Sequence, residues 1–249
     1  MNKSAVLKQN RTISSVLAIF LLGASVSEAQ VLIKANDPSI RYDLIRPAHN
    51  FLKLIAYDSS GAITEQVMNE GYITVDSLHG QISFSRFREV QAGLFDFDTS
   101  VISSSGLPVG MHERVYPKVH ELTVTFNKAS VDAHAFIKDV HSDKTTTIHE
   151  GYFDDNIFED LIGYIPFKKG IKYHLDCYRY ESKGEINPFD IEYIFDDFLE
   201  QGNGNMSECA VLSYTNGYST GYCWIDKKTH LNVKEIIQIR RNTYLIVRL

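Results

Sequence analysis

Gly217-Tyr218-Ser219-Thr220-Gly221 satisfies G-x-S-x-G, the pattern that in serine hydrolases lifts a nucleophilic hydroxyl onto a strained turn. That chemistry needs a strand before the serine, a helix after it, and an acid and a histidine within reach of the hydroxyl. The run after Ser219 is Thr220-Gly221-Tyr222-Cys223-Trp224-Ile225-Asp226, and its glycine, β-branched and aromatic residues suit a strand rather than a helix. Asn216-Gly217 just before it is a strong hairpin signal. Asp226 and His230 follow the serine in hydrolase order, yet both lie within eleven residues of it, and a two-stranded hairpin does not fold both back onto one hydroxyl. The segment reads as a β-hairpin. A Ser219 hydrolase is kept as a distant third function, and no catalytic residue is assigned.

The other reactive side chains are arranged no better for catalysis. His112-Glu113, His120-Glu121 and His149-Glu150 repeat a dipeptide, but none has a second histidine at zinc-site spacing, and strand neighbours point to opposite faces. Asp154-Asp155 and Asp196-Asp197 lack the alternating oxygen ligands and central glycine of a calcium loop. With no glycine-rich phosphate loop and no cysteine pair at metal spacing, neither a metal nor a cofactor is expected. Cys177, Cys209 and Cys223 allow at most one bridge. A two-residue turn at Asn216-Gly217 puts Cys209 opposite Trp224 and sends the Cys209 and Cys223 thiols to opposite faces; one more loop residue, or a bulge, brings them into opposition. A Cys209–Cys223 disulfide therefore stays open. Glu235 is the oddest placement, because it shares a strand face with Leu231, Val233, Ile237 and Ile239. A carboxylate there must be paired, wet or shifted in pKa, so it marks either a bulge or salt bridge or a polar anchor in a greasy cavity.

Period-two alternation dominates the elements that must position these groups. Glu121 to Phe126 and Ser130 to Ala135 alternate cleanly, and similar runs occupy 51–57, 72–76, 81–88, 173–180, 190–195, 210–215, 231–239 and 243–249. Turn signals such as Ser59-Ser60-Gly61 and His79-Gly80 separate them, which predicts an antiparallel sheet. One interval differs. Ile157, Phe158, Leu161, Ile162 and Ile165 fall on one side of a helix over 154–165, with Asp154 and Asp155 at its start and Pro166 after its end. Its apolar side is expected to cover the concave face of the sheet. Residues 1–29 read as a cleaved export signal, with Lys3, Lys8 and Arg11 before an apolar core at Val16 to Ala24 and a small-x-small site at Ser27-Glu28-Ala29. That leaves 30–249 as a single domain. Losing three basic groups and Glu28 takes the formal charge from −6 to −8, which argues against nucleic acid as a partner. No later run is long and apolar enough for a membrane helix, so an integral membrane protein is not expected.

The stretch from Gly221 to Lys234, in which the Trp224 strand runs into the turn Asp226-Lys227-Lys228-Thr229 and then a strand carrying Lys234, resembles a family of uncharacterised exported bacterial proteins related in fold to the periplasmic lipoprotein carriers. The resemblance implies a strongly curved sheet, an open or incomplete barrel, with a helix lying in its mouth. In the carriers that cavity receives acyl chains; for the uncharacterised relatives there are no catalytic residues to carry over. The expectation is a soluble periplasmic or secreted protein, not an enzyme, that binds a lipid or other hydrophobic or amphiphilic envelope molecule. Phe158, Leu161, Ile162, Tyr222, Trp224 and Glu235 are its candidate lining, and Trp224 fluorescence is expected to report uptake. The alternative is an interaction module that docks an envelope protein.

Overall fold

The computed structural model describes residues 30–249 except 92, 118–119, 180–184 and 201–203. The expected export signal at 1–29 lies outside the described residues. The alternating runs become strands: β1 (Val31–Leu32), β2 (Ala48–Tyr57), β3 (Ile63–Asp76), β4 (Gln81–Gln91), β5 (Leu94–Ser103), β6 (Pro108–Tyr116), β7 (His120–Phe126) and β8 (Ser130–Ile137). After these come β9 (Val140–Thr147), β10 (Phe153–Asp154), β11 (Lys172–Arg179), β12 (Glu185–Glu200), β13 (Met206–Thr215), β14 (Ser219–Asp226), β15 (Asn232–Ile239) and β16 (Asn242–Arg248). All belong to one sheet, ordered β1-β11-β12-β13-β14-β15-β16-β2-β3-β4-β5-β6-β7-β8-β9, with β10 beside β11. Neighbours are antiparallel except where β1 and β10 meet β11. The two ends of the path, β1 and β9, do not pair, so the sheet is not closed.

Besides the two-residue β1 and β10, three strands were missing from the periodicity. β5 inverts the usual alternation: Asp96, Asp98, Ser100 and Ile102 are buried, whereas Phe97 is exposed. β6 escaped notice beside it, and β9 is exposed along almost its whole length, which leaves no apolar face to detect.

The interval 154–165 is helical but broken. A 3₁₀ turn (Asp155–Ile157), one α-helical turn, α1 (Phe158–Leu161), and a second 3₁₀ turn (Ile162–Tyr164) follow one another. Asp154 accepts from the Asn156 N–H, as the cap reading expects. The helix stays short because Asn, Ile, Phe, Gly and Tyr are poor helix formers and because burial surrounds the segment rather than touching one stripe of it. Ile157, Phe158, Leu161, Ile162, Tyr164 and Ile165 are all buried. At Gly163 a Cβ would stand 1.9 Å from the His230 carbonyl oxygen, so only glycine lets the segment seat against the β14–β15 turn.

The segment's apolar side chains join one buried cluster with Ile73, Phe84 and Ile102 from β3–β5 and with Leu175, Ile191 and Leu212 from β11–β13. A second cluster unites Leu122, Val124 and Phe126 of β7 with Val131 of β8, Tyr152 and Tyr178 of β11. Phe126 and Tyr178 meet edge to face at 5.9 Å, although β7 and β11 stand eleven places apart in the strand order. A third, smaller cluster of Cys209, Val211 and Trp224 covers the opposite face of β13 and β14.

Candidate functional site

Register decides which candidates reach the interior. Thr215 pairs with Thr220, so the β13–β14 loop spans four residues and Cys209 lies opposite Asp226, while Cys223 lies opposite Leu212. The two thiols point to opposite faces and are unbonded, as is Cys177, so the disulfide left open by the sequence does not form here. The same register puts Trp224 with the third cluster, its indole N–H donating to Asp197 at 2.9 Å and its ring under the Lys234 ammonium at 4.5 Å. Tyr222 shares that outer face and is 47% exposed. Trp224 and Tyr222 are therefore corrected: neither lines the interior.

Ser219 opens a strand rather than a helix. Its hydroxyl donates to Asn216 Oδ1 at 2.9 Å and closes the turn, in which Gly217 takes φ of 77°. Asp226 sits roughly 23 Å along the strand at 3.3 Å per residue and accepts from the Lys228 and Thr229 N–H groups, while His230 faces the Gly163 carbonyl. Ser219, Asp226 and His230 do not meet. Gly221, the second glycine of the motif, has another use: a Cβ there would lie 2.5 Å from Tyr214 Cζ, so its absence lets the tyrosine ring lie flat over the strand. The repeated His-Glu dipeptides also part, with His112 reaching across to Glu121 at 2.9 Å and His120 facing Glu113 at 3.6 Å. Among the described residues no group of three or more His, Cys, Asp or Glu is placed to hold a metal ion.

What the fold assembles instead is a cavity of about 920 Å³. Phe158 and Ile162 of the helical segment, Glu235, and the wall residues Leu54, Phe189, Ile237 and Ile246 line it; Leu161 belongs to the packed core behind and does not reach it. Its mouth lies at the strand ends bearing Arg179, Tyr218, Arg240 and Arg241. Its floor is polar and buried. Glu235, 6% exposed, accepts from the Tyr214 hydroxyl at 2.5 Å and from Asn232 Nδ2 at 2.8 Å. Asn232 joins Glu235 on this face because the β14–β15 register shifts between Trp224 and Ile225, which turns Val233 outward into the third cluster. The bulge that the sequence offered at Glu235 is present, and the carboxylate is paired with two neutral donors.

Beside them, Arg86 bridges Glu159 at 2.9 Å and Asp160 at 3.0 Å, and Arg248 donates to Asp160 at 3.0 Å. Burial, then the charge of Glu159, pushes the Glu235 carboxyl up to about 7 against the opposing pull of its two hydrogen bonds. Burial likewise raises Asp154 to about 6 and raises the Asp98 carboxyl. Cys223, opposite Glu235, is held well above the ordinary thiol range by burial and by that carboxylate, so it is a poor nucleophile. The sequence reading missed Arg86, Asp160, Tyr214 and Asn232. An arginine and an acid at unrelated positions carry no local spacing, and Tyr214 and Asn232 read as ordinary strand residues.

Among the described residues no helix is long and apolar enough to cross a membrane. A comparison with curated proteins finds no match. Among solved structures, the chain is similar to a β-barrel-like protein of the domain of unknown function DUF1849 from Brucella abortus, with a TM-score of 0.51 and 7% identity over 82% of this chain and 95% of that one. That likeness supports a barrel-like β fold. The sequence model of a family described as a protein of unknown function, DUF3108, matches residues 64–243, which take in nearly all of β3 to β15, with Glu235, Asn232, Tyr214 and Arg86 of the cavity floor. The chain belongs to the DUF3108 family.

Proposed function

We propose that the protein binds a hydrophobic or amphiphilic molecule of the cell envelope inside a strongly curved, incompletely closed sheet whose concave face is shielded by the helical segment 155–164. It does so as a soluble periplasmic or secreted protein and without catalysis. The cavity of about 920 Å³ carries this reading, because it has the size of a ligand pocket and sets an apolar strip of Leu54, Phe189, Ile237 and Ile246 beside a larger number of polar and charged groups, as an amphiphile requires. The curvature is supported by the Phe126–Tyr178 contact: eleven strand spacings in a flat sheet would separate those rings by roughly 50 Å, not 5.9 Å. The barrel-like structural relative is consistent with the same shape. Mass spectrometry of an organic extract of natively purified protein tests the function. One amphiphile at near-equimolar yield is expected; an extract free of organic ligand, together with no uptake of a hydrophobic dye, removes the reading.

A second reading, docking of an envelope protein, draws on β9, whose outer edge is unpaired in the sheet order. Co-purification of a stoichiometric protein with an empty cavity would favour it.

A further inference from the structure

We propose that the cavity floor receives a protonated amine, the head of an amphiphile whose chain lies along the Leu54, Phe189, Ile237 and Ile246 wall. This inference rests on the ligand-binding reading and specifies its chemistry. The first argument is a charge count at the floor. Arg86 and Arg248 face three carboxylates, those of Glu159, Asp160 and Glu235, and the two arginines are spent on Glu159 and Asp160. Glu235 has only the neutral donors Tyr214 and Asn232. The next acids outward do not redress the balance, since Arg88 is taken by Asp96 and Asp98 is held by the Asn156 amide.

The second argument is independent of charge. Asn232 and Asn69 line the cavity, and the Oδ1 of each is buried without a hydrogen-bond partner. Buried acceptors of this kind cost about 1–3 kcal/mol each when unpaired, so they select a ligand that donates. Arg86 Nε is the lone unpaired donor among these floor groups. An ammonium offers three donors and one positive charge and accepts nothing. A carboxylate or phosphate head would meet Glu159 and Glu235 instead. Arg240 and Arg241 at the mouth are exposed, where solvent and salt screen them.

A bare proton is the competing occupant. The groups facing Glu235 are Tyr214, Cys223, Glu159, Asp160, Arg86 and Arg248, while Lys234 on its own strand points to the other face over Trp224. None of these neutralises Glu235, and its raised carboxyl takes the proton near neutral pH. An arriving ammonium would displace that proton.

Calorimetric titration with dodecylammonium, dodecanoate and dodecanol, each below its micelle concentration at pH 8, tests the assignment. Dodecylammonium is expected to bind at least about tenfold tighter than dodecanoate, and Glu235→Gln is expected to cut that preference by about tenfold. In the unaltered protein, amine binding should release roughly half a proton at pH 7 and none at pH 9, read as the difference in heat between buffers of unlike protonation enthalpy. Dodecanoate binding as tightly as the amine, or a preference that survives Glu235→Gln, overturns the amine assignment and leaves the ligand-binding reading standing. Failure of all three chains to bind overturns both.

Discussion

Glu235 sits in a contest between two hydrogen bonds that favour its anion and a dry, acid-crowded setting that favours its neutral form; the setting wins. Because the folded carboxyl titrates near 7 and the ordinary value is 4.5, the native state holds the proton more tightly than the unfolded chain. The associated stability is therefore full below about pH 4.5, falls between about 4.5 and 7, and stays low above that. Glu235→Gln should raise stability by on the order of 2 kcal/mol at pH 8 and leave it nearly unchanged at pH 5, as read from urea midpoints at the two pH values. Equal effects at both pH values would remove titration as the cause. Trp224 behaves oppositely to its sequence expectation: it lies on the outer face, so uptake of a ligand should leave its fluorescence unchanged, and Trp224→Phe should preserve affinity. At this scale the sequence was legible where one residue broke a pattern, as Glu235 did, and illegible where partners came from β4, β13, β16 and the helical segment.

α1 and its flanking turns matter as a wedge rather than as a helix. Leu161, 1% exposed, packs behind the cavity without reaching it. Leu161→Ala should cost about 3 kcal/mol in chemical denaturation while dye binding by the remaining folded protein persists. Gly221→Ala tests β14 in the same way. Its methyl would press on Tyr214 and move the hydroxyl from Glu235, for a loss of about 2 kcal/mol and a further rise in the Glu235 pKa. The strands that the sequence showed were those with one apolar and one polar face. β5 was hidden because its buried face carries Asp96, Asp98 and Ser100, and the interior polarity of the site is the reason for that inversion.

Across the whole molecule, β7 packs against β11, eleven places away in the strand order, and the cavity is lined by residues remote in sequence; the curled sheet proposed above accounts for both. Solution scattering should give a radius of gyration near 17 Å for a compact body of this size; a sheet of this many strands laid flat would exceed roughly 21 Å from its width alone. A value in the upper range would remove the curled sheet and with it the cavity. The sequence by itself determined the strand-rich class, the capped helical interval at 154–165 and the hairpin that Ser219 opens, because alternation, capping and turn chemistry act between residues a few positions apart. Only the tertiary structure decided that Trp224 faces outward, that Asn232 and Glu235 face inward together and that Arg86 and Arg248 leave one carboxylate unmatched. A single-residue bulge reverses a face without altering composition, and a charge balance is a sum over groups brought together by register, which no local pattern in the chain records.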